Sequence, residues 1–241
     1  MEKVIFISPM YNASPHLKEL VESLKEQTNT NWEHILIDDL STDDSFEVYI
    51  NLTEDDDRFS AIRNKGKKWA LKNVVNTARL FQKQNNVIIA ILDADDCLCN
   101  ERTVELLLNA YDDTTDTVWT AHTWDINGMN ISKNFPENKK INPYQYAWCS
   151  SHLKTFRSSL IANICDENFK NLSGEWFKRG YDQALYLPLL YVSRKSLYLD
   201  EVCYLYRINS KSIKVRQWSE KEQMDAVRLV RARGFIKNQE T

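Results

Sequence analysis

The amino-acid sequence predicts an α/β protein in which helices cover both faces of a mostly parallel sheet. Short apolar segments alternate with segments of helical periodicity, an order typical of parallel strands joined by helices. The connections between these segments are short, which favours packing of sequential neighbours. A polar cluster follows each of the first four strand-like segments. Because ligands of such sheets bind beyond the carboxyl ends of the strands, the clusters predict a site at one edge.

The individual elements follow in chain order. The segments that indicate strands lie at 3–8, 34–38, 59–63, 86–93 and 116–122. The segments of helical spacing lie at 14–24, 41–50, 68–84 and 101–111. In the first of these, Ser14 is expected to cap the helix, with Pro15 at its first position.

The chain after about residue 123 has a less regular pattern. The alternation of strand and helix stops, and aromatic residues become dense. A final helix is expected over 219–234, because Ser219 and Glu222 match a capping box and Gly234 is placed to end the helix. Since no low-complexity linker separates the two halves, we expect one compact unit.

The composition excludes several classes of protein. The net charge of −3 gives no overall basic field to attract nucleic acid or an anionic membrane. No apolar run approaches the roughly 20 residues of a membrane span, and the N-terminus does not resemble a secretory signal. Five cysteines at scattered positions fit a reducing compartment. We therefore expect a soluble, cytoplasmic protein without a membrane span.

Three aspartates directly follow the strongest strand segment. Asp93, Asp95 and Asp96 repel one another when ionised, and a hard divalent cation such as Mg²⁺ or Mn²⁺ would relieve that repulsion. In an extended chain, residues two apart point to the same side, so Asp93 and Asp95 would face one ligand. The alternative is an acidic turn in which Asp95 and Asp96 cap the following helix.

Four stretches of the sequence resemble glycosyltransferase family 2, the inverting nucleotide-sugar transferases with the GT-A fold. They are ISPMYNASPHLKELVESLKEQTNTNWEHILIDDLSTDDS, RNKGKKWALKN, ILDADDCL and GYDQA. The resemblance is close over residues 3–110 and loose over 145–208. It implies a GT-A-type, Rossmann-like sheet with a C-terminal acceptor-binding part. The expected units are a nucleotide-sugar-binding half (1–122), an acceptor-binding half (123–215) and a C-terminal helix (216–241).

The resemblance implies donor-binding roles at the ends of the first strands. Pro9 and Tyr11 would line the nucleobase pocket, and Asp39 would accept a hydrogen bond from the imide of the base. Asp38 would lie nearer the ribose or cap the next helix. Lys72 stands where the family often has arginine near the diphosphate, a change that keeps the charge but loses the bidentate fork.

The resemblance also implies a metal site. Asp93 and Asp95 would bind the ribose and a divalent ion, Mn²⁺ or Mg²⁺, with Asp96 as an alternative ligand. The ion would bridge the two phosphates of the nucleotide-sugar and stabilise the departing diphosphate.

The general base implied by the resemblance is Asp182, in GYDQA. Inversion requires one carboxylate that takes a proton from the attacking hydroxyl, on the side opposite the leaving group. Tyr181 stands where the family more often has glutamate. The alternative role of Asp182 is to cap a short helix that begins there.

Acceptor contacts are expected from the second half of the chain. The resemblance implies that His152 contacts the acceptor or the metal, and Arg157 would bind a phosphate. The alternatives are a structural histidine and a surface ion pair. Trp124, Trp148 and Trp176 would form a stacking platform for a sugar ring or a base, or belong to the core.

These features together predict a metal-dependent transferase that moves a sugar from a nucleotide-diphosphate donor, expected to be a UDP-sugar, to a hydroxyl of a glycan. An alternative acceptor is a hydroxymethylated base in phage DNA, since the basic run Lys65, Lys67, Lys68 and Lys72 lies beside the site. A further alternative is a catalytically silent nucleotide-sugar-binding protein. A nucleotidyltransferase is disfavoured because SPMYNAS contains neither glycine nor a basic residue.

Overall fold

A computed structural model describes residues 2–136, 141–208 and 213–237 of the 241-residue chain. The described strands are β1 (Lys3–Met10), β2 (Trp32–Asp38), β3 (Phe59–Arg63), β4 (Val87–Ile91), β5 (Cys97–Leu98), β6 (Thr115–Trp124), β7 (Lys154–Arg157) and β8 (Lys195–Tyr206). The described α-helices are α1 (Leu17–Lys25), α2 (Ser45–Thr53), α3 (Trp69–Leu80), α4 (Thr103–Ala110), α5 (Tyr181–Val192) and α6 (Ile213–Arg233).

The strands form one mixed sheet in the order β3-β2-β1-β4-β7-β6-β8-β5. The first four of these run parallel, as β1 pairs with both β2 and β4, and β2 pairs with β3. Strand β7 runs antiparallel between β4 and β6, while β8 runs parallel to β6. The predicted mostly parallel α/β sheet is therefore confirmed, and all five predicted strands belong to it.

The sheet is buried on both faces, as the continuous apolar runs predict. Along β1, Val4 and Phe6 pack on the face covered by α1, α2 and α4. Ile5 and Ile7 pack on the opposite face, against α3 and α5. All four side chains are at most 1% exposed. Burial of an apolar side chain of this size stabilises the fold by about 1.5–3 kcal/mol, so these layers fix the positions of the strand ends.

Two predicted helix starts are wrong. Ser14 lies in a 3₁₀ turn, Ser14–His16, and makes no capping hydrogen bond, while α1 begins only at Leu17. Ala13 precedes this 3₁₀ turn, and its backbone N–H donates to Ser45 Oγ at 2.8 Å. Helix α6 begins at Ile213, so Ser219 lies inside it. A capping pattern therefore marks a possible helix start, and neither of these two helices begins at it.

The predicted end of α6 is confirmed. Gly234 has φ +72°, and its N–H donates to the carbonyl of Val230 at 3.2 Å. A left-handed residue after the last turn ends a helix in this way, and glycine adopts that conformation without strain.

The second half of the chain is more regular than the sequence suggests. The alternation does not stop near residue 123, since β7, α5 and β8 all follow. All four residues of β7 are buried although three of them, Lys154, Thr155 and Arg157, are polar. Their polarity hid the strand from an analysis of hydrophobic periodicity. No helix in the described ranges combines the length and the apolarity that a bilayer crossing requires.

The carboxyl edge of the parallel strands has unusual backbone geometry. Asn12, Leu40 and Trp69 have φ values of +53°, +65° and +67°, and they follow β1, follow β2 and begin α3. Left-handed conformations are costly for bulky residues and are found at functional sites. Gly180, which precedes α5, also has a positive φ of +65°. These four positions mark the edge where the polar clusters meet.

Candidate active site

The aspartate cluster begins where β4 ends. The N–H of Leu92 still donates to Ile7 of β1, at 3.2 Å, and Asp93 follows as the first residue beyond the sheet. The chain then turns, because the N–H of Asp96 donates to the carbonyl of Asp93 at 3.0 Å. The expected extended geometry of Asp93 and Asp95 is therefore wrong, since Asp95 lies within this turn.

Asp93 is a half-buried carboxylate with a close hydrogen-bond donor. The hydroxyl of Tyr181, the first residue of α5, donates to Asp93 Oδ1. Burial raises the pKa of Asp93 to about 7. The ammonium of Lys154 opposes this shift, and the carboxylates of Asp182 and Asp95 add to it. Asp93 is thus close to several charges of both signs.

Asp96 has a structural role. It is 1% exposed, and both of its oxygens accept hydrogen bonds. The hydroxyl of Tyr204 donates to Oδ2 at 2.6 Å, and the backbone N–H of Arg207 donates to Oδ1 at 2.7 Å. Asp96 therefore ties the aspartate turn to the end of β8. Its use as an alternative metal ligand would break this attachment.

Asp182 lies in the first turn of α5 and faces an unexpected partner. The Nζ atom of Lys154 lies 2.6 Å from Asp182 Oδ1, a close ion pair. The Lys154 side chain is fully buried. Asp182 makes no capping hydrogen bond, so the predicted capping role is wrong. One carboxylate of the cluster is therefore paired with a cation supplied by the chain itself.

His152 completes this cluster. One ligand atom from each of Asp93, His152 and Asp182 lies within 4.8 Å of the others. The imidazole stacks between Tyr204 and Tyr206, with ring centroids 4.6 and 4.9 Å away. Burial, assisted by the charge of Lys154, holds the pKa of His152 well below its usual range, so the ring is neutral.

The predicted donor-binding residues meet at the ends of β1 and β2. Asp39 is 4% exposed and accepts hydrogen bonds from the backbone N–H groups of Lys68 and Trp69, both at 2.8 Å. Its Oδ1 also accepts from Asn64 Nδ2 at 2.9 Å. Burial alone would raise the pKa of Asp39, but hydrogen bonds from Lys68, Asn73, Trp69 and Asn64 hold it below its usual range. Asp39 thus fixes the loop that leads into α3.

Tyr11, in the same region, is 51% exposed. Its ring is covered by Lys67, whose Nζ lies 2.9 Å from the ring centroid. The same ammonium lies 3.9 Å from Asp39 Oδ2 and 5.5 Å from the ring of Trp69. The guanidinium of Arg179 approaches Trp69 from 5.8 Å. Aromatic faces and cations are therefore layered at the end of β1, beside Pro9.

Lys72 and Trp176 lie together on the α3 side of this edge. Lys72 is in the first turn of α3, and its Nζ lies 5.7 Å from the ring of Trp176. Trp176 stacks on Phe169 with a centroid distance of 5.7 Å. Trp176 does not line the cavity described next.

A cavity of about 180 Å³ lies beside Asp182. Three aromatic residues form part of its lining, namely Trp124, Trp148 and Tyr206. Its polar lining comes from Ser151, His152, Asp182, Gln183 and Gln223. Gln223 belongs to α6, so the C-terminal helix helps to close this space.

Gly180 lets α6 approach the start of α5. A side chain there would meet Val227 Cγ2 at 3.1 Å and the carbonyl oxygen of Gln223 at 3.3 Å. Both the positive φ of Gly180 and this contact favour glycine. Because Gly180 admits α6, Gln223 of α6 and Asp182 of α5 line the same cavity.

Arg157 does not belong to the site. It lies at the opposite end of β7, where Nη1 contacts Glu2 Oε1 at 2.6 Å and Nη2 donates to the carbonyl of Asp112 at 2.9 Å. Its strand partner is Ile88, near the start of β4. The predicted phosphate contact of Arg157 in the acceptor site is wrong, because β7 runs from Lys154 at the site to Arg157 at the opposite end of the strand, where the guanidinium pairs with Glu2.

Sequence reasoning found Asp93, His152 and Asp182 but missed Lys154. Lys154 follows His152 by two positions, so a strand would place both on one side. This spacing could have identified Lys154, but lysine is rarely buried completely, so the sequence favoured a surface position for it. Tyr181 and Gln223 were also missed, since hydroxyl and amide groups carry no distinctive pattern.

The chain matches known proteins over most of its length. The model of glycosyl transferase family 2 matches residues 5–185, more than half of the chain. Glycosyltransferase GlyA of Streptococcus pneumoniae serotype 4 is 24% identical over 241 residues, which cover 91% of this chain and 32% of that protein. The chain thus spans about a third of the length of this relative.

Solved structures share the fold. S. aureus TarS 1–349, in complex with UDP-GlcNAc, has a TM-score of 0.62 and 18% identity over 87% of this chain and 60% of that one. Mannosyltransferase PcManGT from Pyrobaculum calidifontis, in complex with GDP-Man and Mn²⁺, has a TM-score of 0.61 and 17% identity over 94% and 64%. The predicted GT-A-type fold is confirmed. With the family match over residues 5–185, the chain belongs to glycosyl transferase family 2.

Proposed function

We propose that the protein is an inverting glycosyltransferase that moves a sugar from a nucleotide-diphosphate donor to an acceptor hydroxyl, with Asp182 as the general base. The observation that carries this proposal is the position of Asp182. Its carboxylate lines the cavity and also lies within 4.8 Å of a ligand atom of Asp93. A group at this boundary reaches an acceptor on one side and the reacting end of a donor on the other.

The donor site is the layered region at the ends of β1 and β2. Tyr11 is 51% exposed and would pack on a nucleobase with the ring face that Lys67 does not cover, while Pro9 and Asp39 border the same region. Lys67 and Lys72 would face the phosphates, since anionic oxygens favour such cations. UDP-GlcNAc and GDP-Man, which are bound to proteins of this fold, support a nucleotide-sugar donor. We assign UDP as the nucleotide.

A divalent metal, Mn²⁺ or Mg²⁺, would be held by Asp95 and Asp93 together with the phosphates of the donor. Carboxylate oxygens are suitable ligands for such ions, and one or two of them usually suffice when phosphates contribute the rest. The ion would neutralise charge that develops on the departing diphosphate. Mn²⁺ in the PcManGT complex supports this assignment.

The acceptor would occupy the cavity beside Asp182. Aromatic faces from Trp124, Trp148 and Tyr206 suit the apolar face of a sugar ring, and the amides of Gln183 and Gln223 suit its hydroxyls. These groups favour a glycan. The DNA alternative is favoured only by the exposed Lys65 and Lys68.

The chemistry follows from this placement. Asp182 takes the proton of the acceptor hydroxyl as the oxygen forms a bond to the anomeric carbon. The bond between that carbon and the phosphate oxygen breaks on the opposite side, and the nucleoside diphosphate leaves with the electron pair. Attack opposite the leaving group inverts the anomeric configuration.

Donor turnover tests the proposal. The protein is incubated with UDP-, GDP- and TDP-sugars, with Mn²⁺ or a chelator, and the released nucleoside diphosphate is measured with glycan or hydroxymethylated DNA acceptors present. We expect metal-dependent release from a UDP-sugar with a glycan acceptor and an inverted product by NMR. Donor binding without release from any acceptor would favour the silent binder. Retention of configuration would contradict the assigned role of Asp182.

A further inference from the structure

We infer that Lys154 is a built-in cation of the active site. Its ammonium fills the inner position among Asp93, His152 and Asp182, and it excludes a divalent ion from the space between these three side chains. The metal would then be confined to the outer side, at Asp95 and the donor phosphates, and Asp93 would contribute to it only from that side. The inference rests on the proposed function only where it treats Asp182 as the base.

The contacts of Lys154 support this inference. Its Nζ lies 2.6 Å from Asp182 Oδ1 and 3.2 Å from His152 Nδ1, and it donates to the carbonyl of Ser151 at 2.9 Å. It also attracts the carboxylate of Asp93. An ammonium has three N–H donors, and three partners surround it here. The position is therefore filled by a group that fits it.

The three surrounding side chains would otherwise suit a metal. Two carboxylates and a neutral imidazole form a donor set that Mn²⁺ or Zn²⁺ accepts, and their ligand atoms lie within 4.8 Å of one another. Without a cation, Asp93 and Asp182 would repel each other at this distance. A positive charge at the centre relieves this repulsion, and the sequence supplies it as Lys154.

Burial makes the arrangement stable. The side chain of Lys154 has no exposed surface, and β7 holds it opposite Ile91 of β4 and Trp119 of β6. A buried ammonium persists when it is paired and fully hydrogen-bonded. A divalent ion entering the same space would have to displace the ammonium from these partners. The two cations therefore exclude each other.

This arrangement has a consequence for the base. A carboxylate that coordinates a metal cannot also accept the proton of an acceptor hydroxyl on the same oxygen. Lys154 orients Asp182 through one oxygen, Oδ1, and keeps a metal away from the other. Lys154 is thus a positioning residue for Asp182.

The test is a titration with Mn²⁺ alone, in the absence of any nucleotide. The concentration of free Mn²⁺ is measured by electron paramagnetic resonance at each step. We compare the parent protein with Lys154→Met, which removes the charge at similar length, and Lys154→Arg, which keeps it. We expect Lys154→Met to bind one Mn²⁺ at least about tenfold more tightly than the parent, and His152→Ala added to Lys154→Met to abolish this gain. Lys154→Arg should show no gain.

Two results would overturn the inference. One is tight binding of Mn²⁺ to the parent that His152→Ala removes, since the metal would then displace the ammonium. The other is a folded Lys154→Met protein, by circular dichroism, that binds no additional Mn²⁺. Should Lys154→Met fail to fold, Lys154→Gln replaces it, and the same criteria apply. Because no sugar donor is present, failure here is separable from failure of the proposed transferase activity.

Discussion

Strand β7 carries a buried basic residue at each end, and the surroundings of the two differ. Arg157 directs its guanidinium to Glu2 and to the backbone carbonyls of Asp112 and Thr115. Lys154, three residues earlier, directs its ammonium mainly to side chains, among them Asp182 beside the cavity. Backbone carbonyls are fixed by the fold, whereas Asp182 and His152 face space that a ligand can enter. A buried charge is thus structural at one edge of the sheet and part of the site at the other.

The largest expected effects come from removing these two charges in turn. Arg157→Met and Lys154→Met should each lower the free energy of unfolding by about 1–3 kcal/mol, because each leaves backbone carbonyls and a partly exposed carboxylate without their donor. Urea unfolding measures this loss. Only Lys154→Met should also lower kcat per folded molecule, since Arg157 lies at the far edge. An equal loss of kcat in both variants would remove the distinction between the two ends of β7.

His34 lies away from both ends of β7, and it should control part of the loss of folding stability at acid pH. His34 is fully buried between Tyr49 and Ser8, each 2.7 Å away, and burial lowers its pKa to about 3. Below pH 6.5 the unfolded chain protonates this ring and the folded protein does not, so stability falls as the pH falls. Between pH 6.5 and 5 the expected loss is about 2 kcal/mol.

Urea unfolding at several pH values measures this contribution. His34→Gln should flatten the dependence between pH 6.5 and 5, whereas the matched change His16→Gln in the half-buried turn before α1 should not. The same slope in His34→Gln and the parent would assign the acid sensitivity to other groups, such as those around Lys154.

Two tryptophans test the proposed distinction between an acceptor cavity and a donor side. Trp124 lines the cavity, whereas Trp176 lies beside Lys72. Trp124→Ala should raise the acceptor KM by about tenfold, through lost stacking of a ring, and leave the donor KM unchanged. Trp176→Ala is the matched control, because Trp176 lies beside Lys72 and outside the cavity. Steady-state kinetics with each substrate varied in turn measure both. A rise of the acceptor KM only in Trp176→Ala would reverse the assignment.

The smallest expected effect concerns the exposed lysines of the loop before α3. Lys65→Ala and Lys68→Ala should change transfer to a glycan acceptor by less than about threefold, because surface charges contribute little. Transfer rates measured at several salt concentrations distinguish a glycan acceptor from a DNA acceptor. A DNA acceptor would instead give a steep salt dependence that becomes weaker in these variants.

The sequence predicted much of the fold because the strands are strongly apolar. Val4 to Ile7 and Val87 to Ile91 are buried on both faces, so hydrophobicity alone located the centre of the sheet. Asp93 was also predicted, since three acids directly after a strand stand out, whereas Asp182 was identified only through the resemblance to the family. The Asp93–Asp95 geometry was not predicted, because a hydrogen-bonded turn cannot be distinguished from an extended chain by spacing.

The rest of the site depends on contacts between distant segments. Lys154 is buried because β4 and β6 flank it and because Asp182 arrives from α5, and no local pattern reports such partners. Gln223 reaches the cavity only because Gly180 admits α6. Ser219 was misassigned for the related reason that a capping pattern is equally compatible with a helix interior. Tertiary contacts therefore decided what local signals left open.

The most direct test of the central claim is the kcat of Asp182→Asn with saturating donor and acceptor, beside Asp55→Asn as an exposed control in the connection between α2 and β3. The substitution keeps the shape of the side chain and removes the base. We predict a loss of about 10²–10⁴ in kcat with donor affinity retained, and no change in the control. A kcat for Asp182→Asn close to that of the parent would show that another group takes the proton of the acceptor hydroxyl.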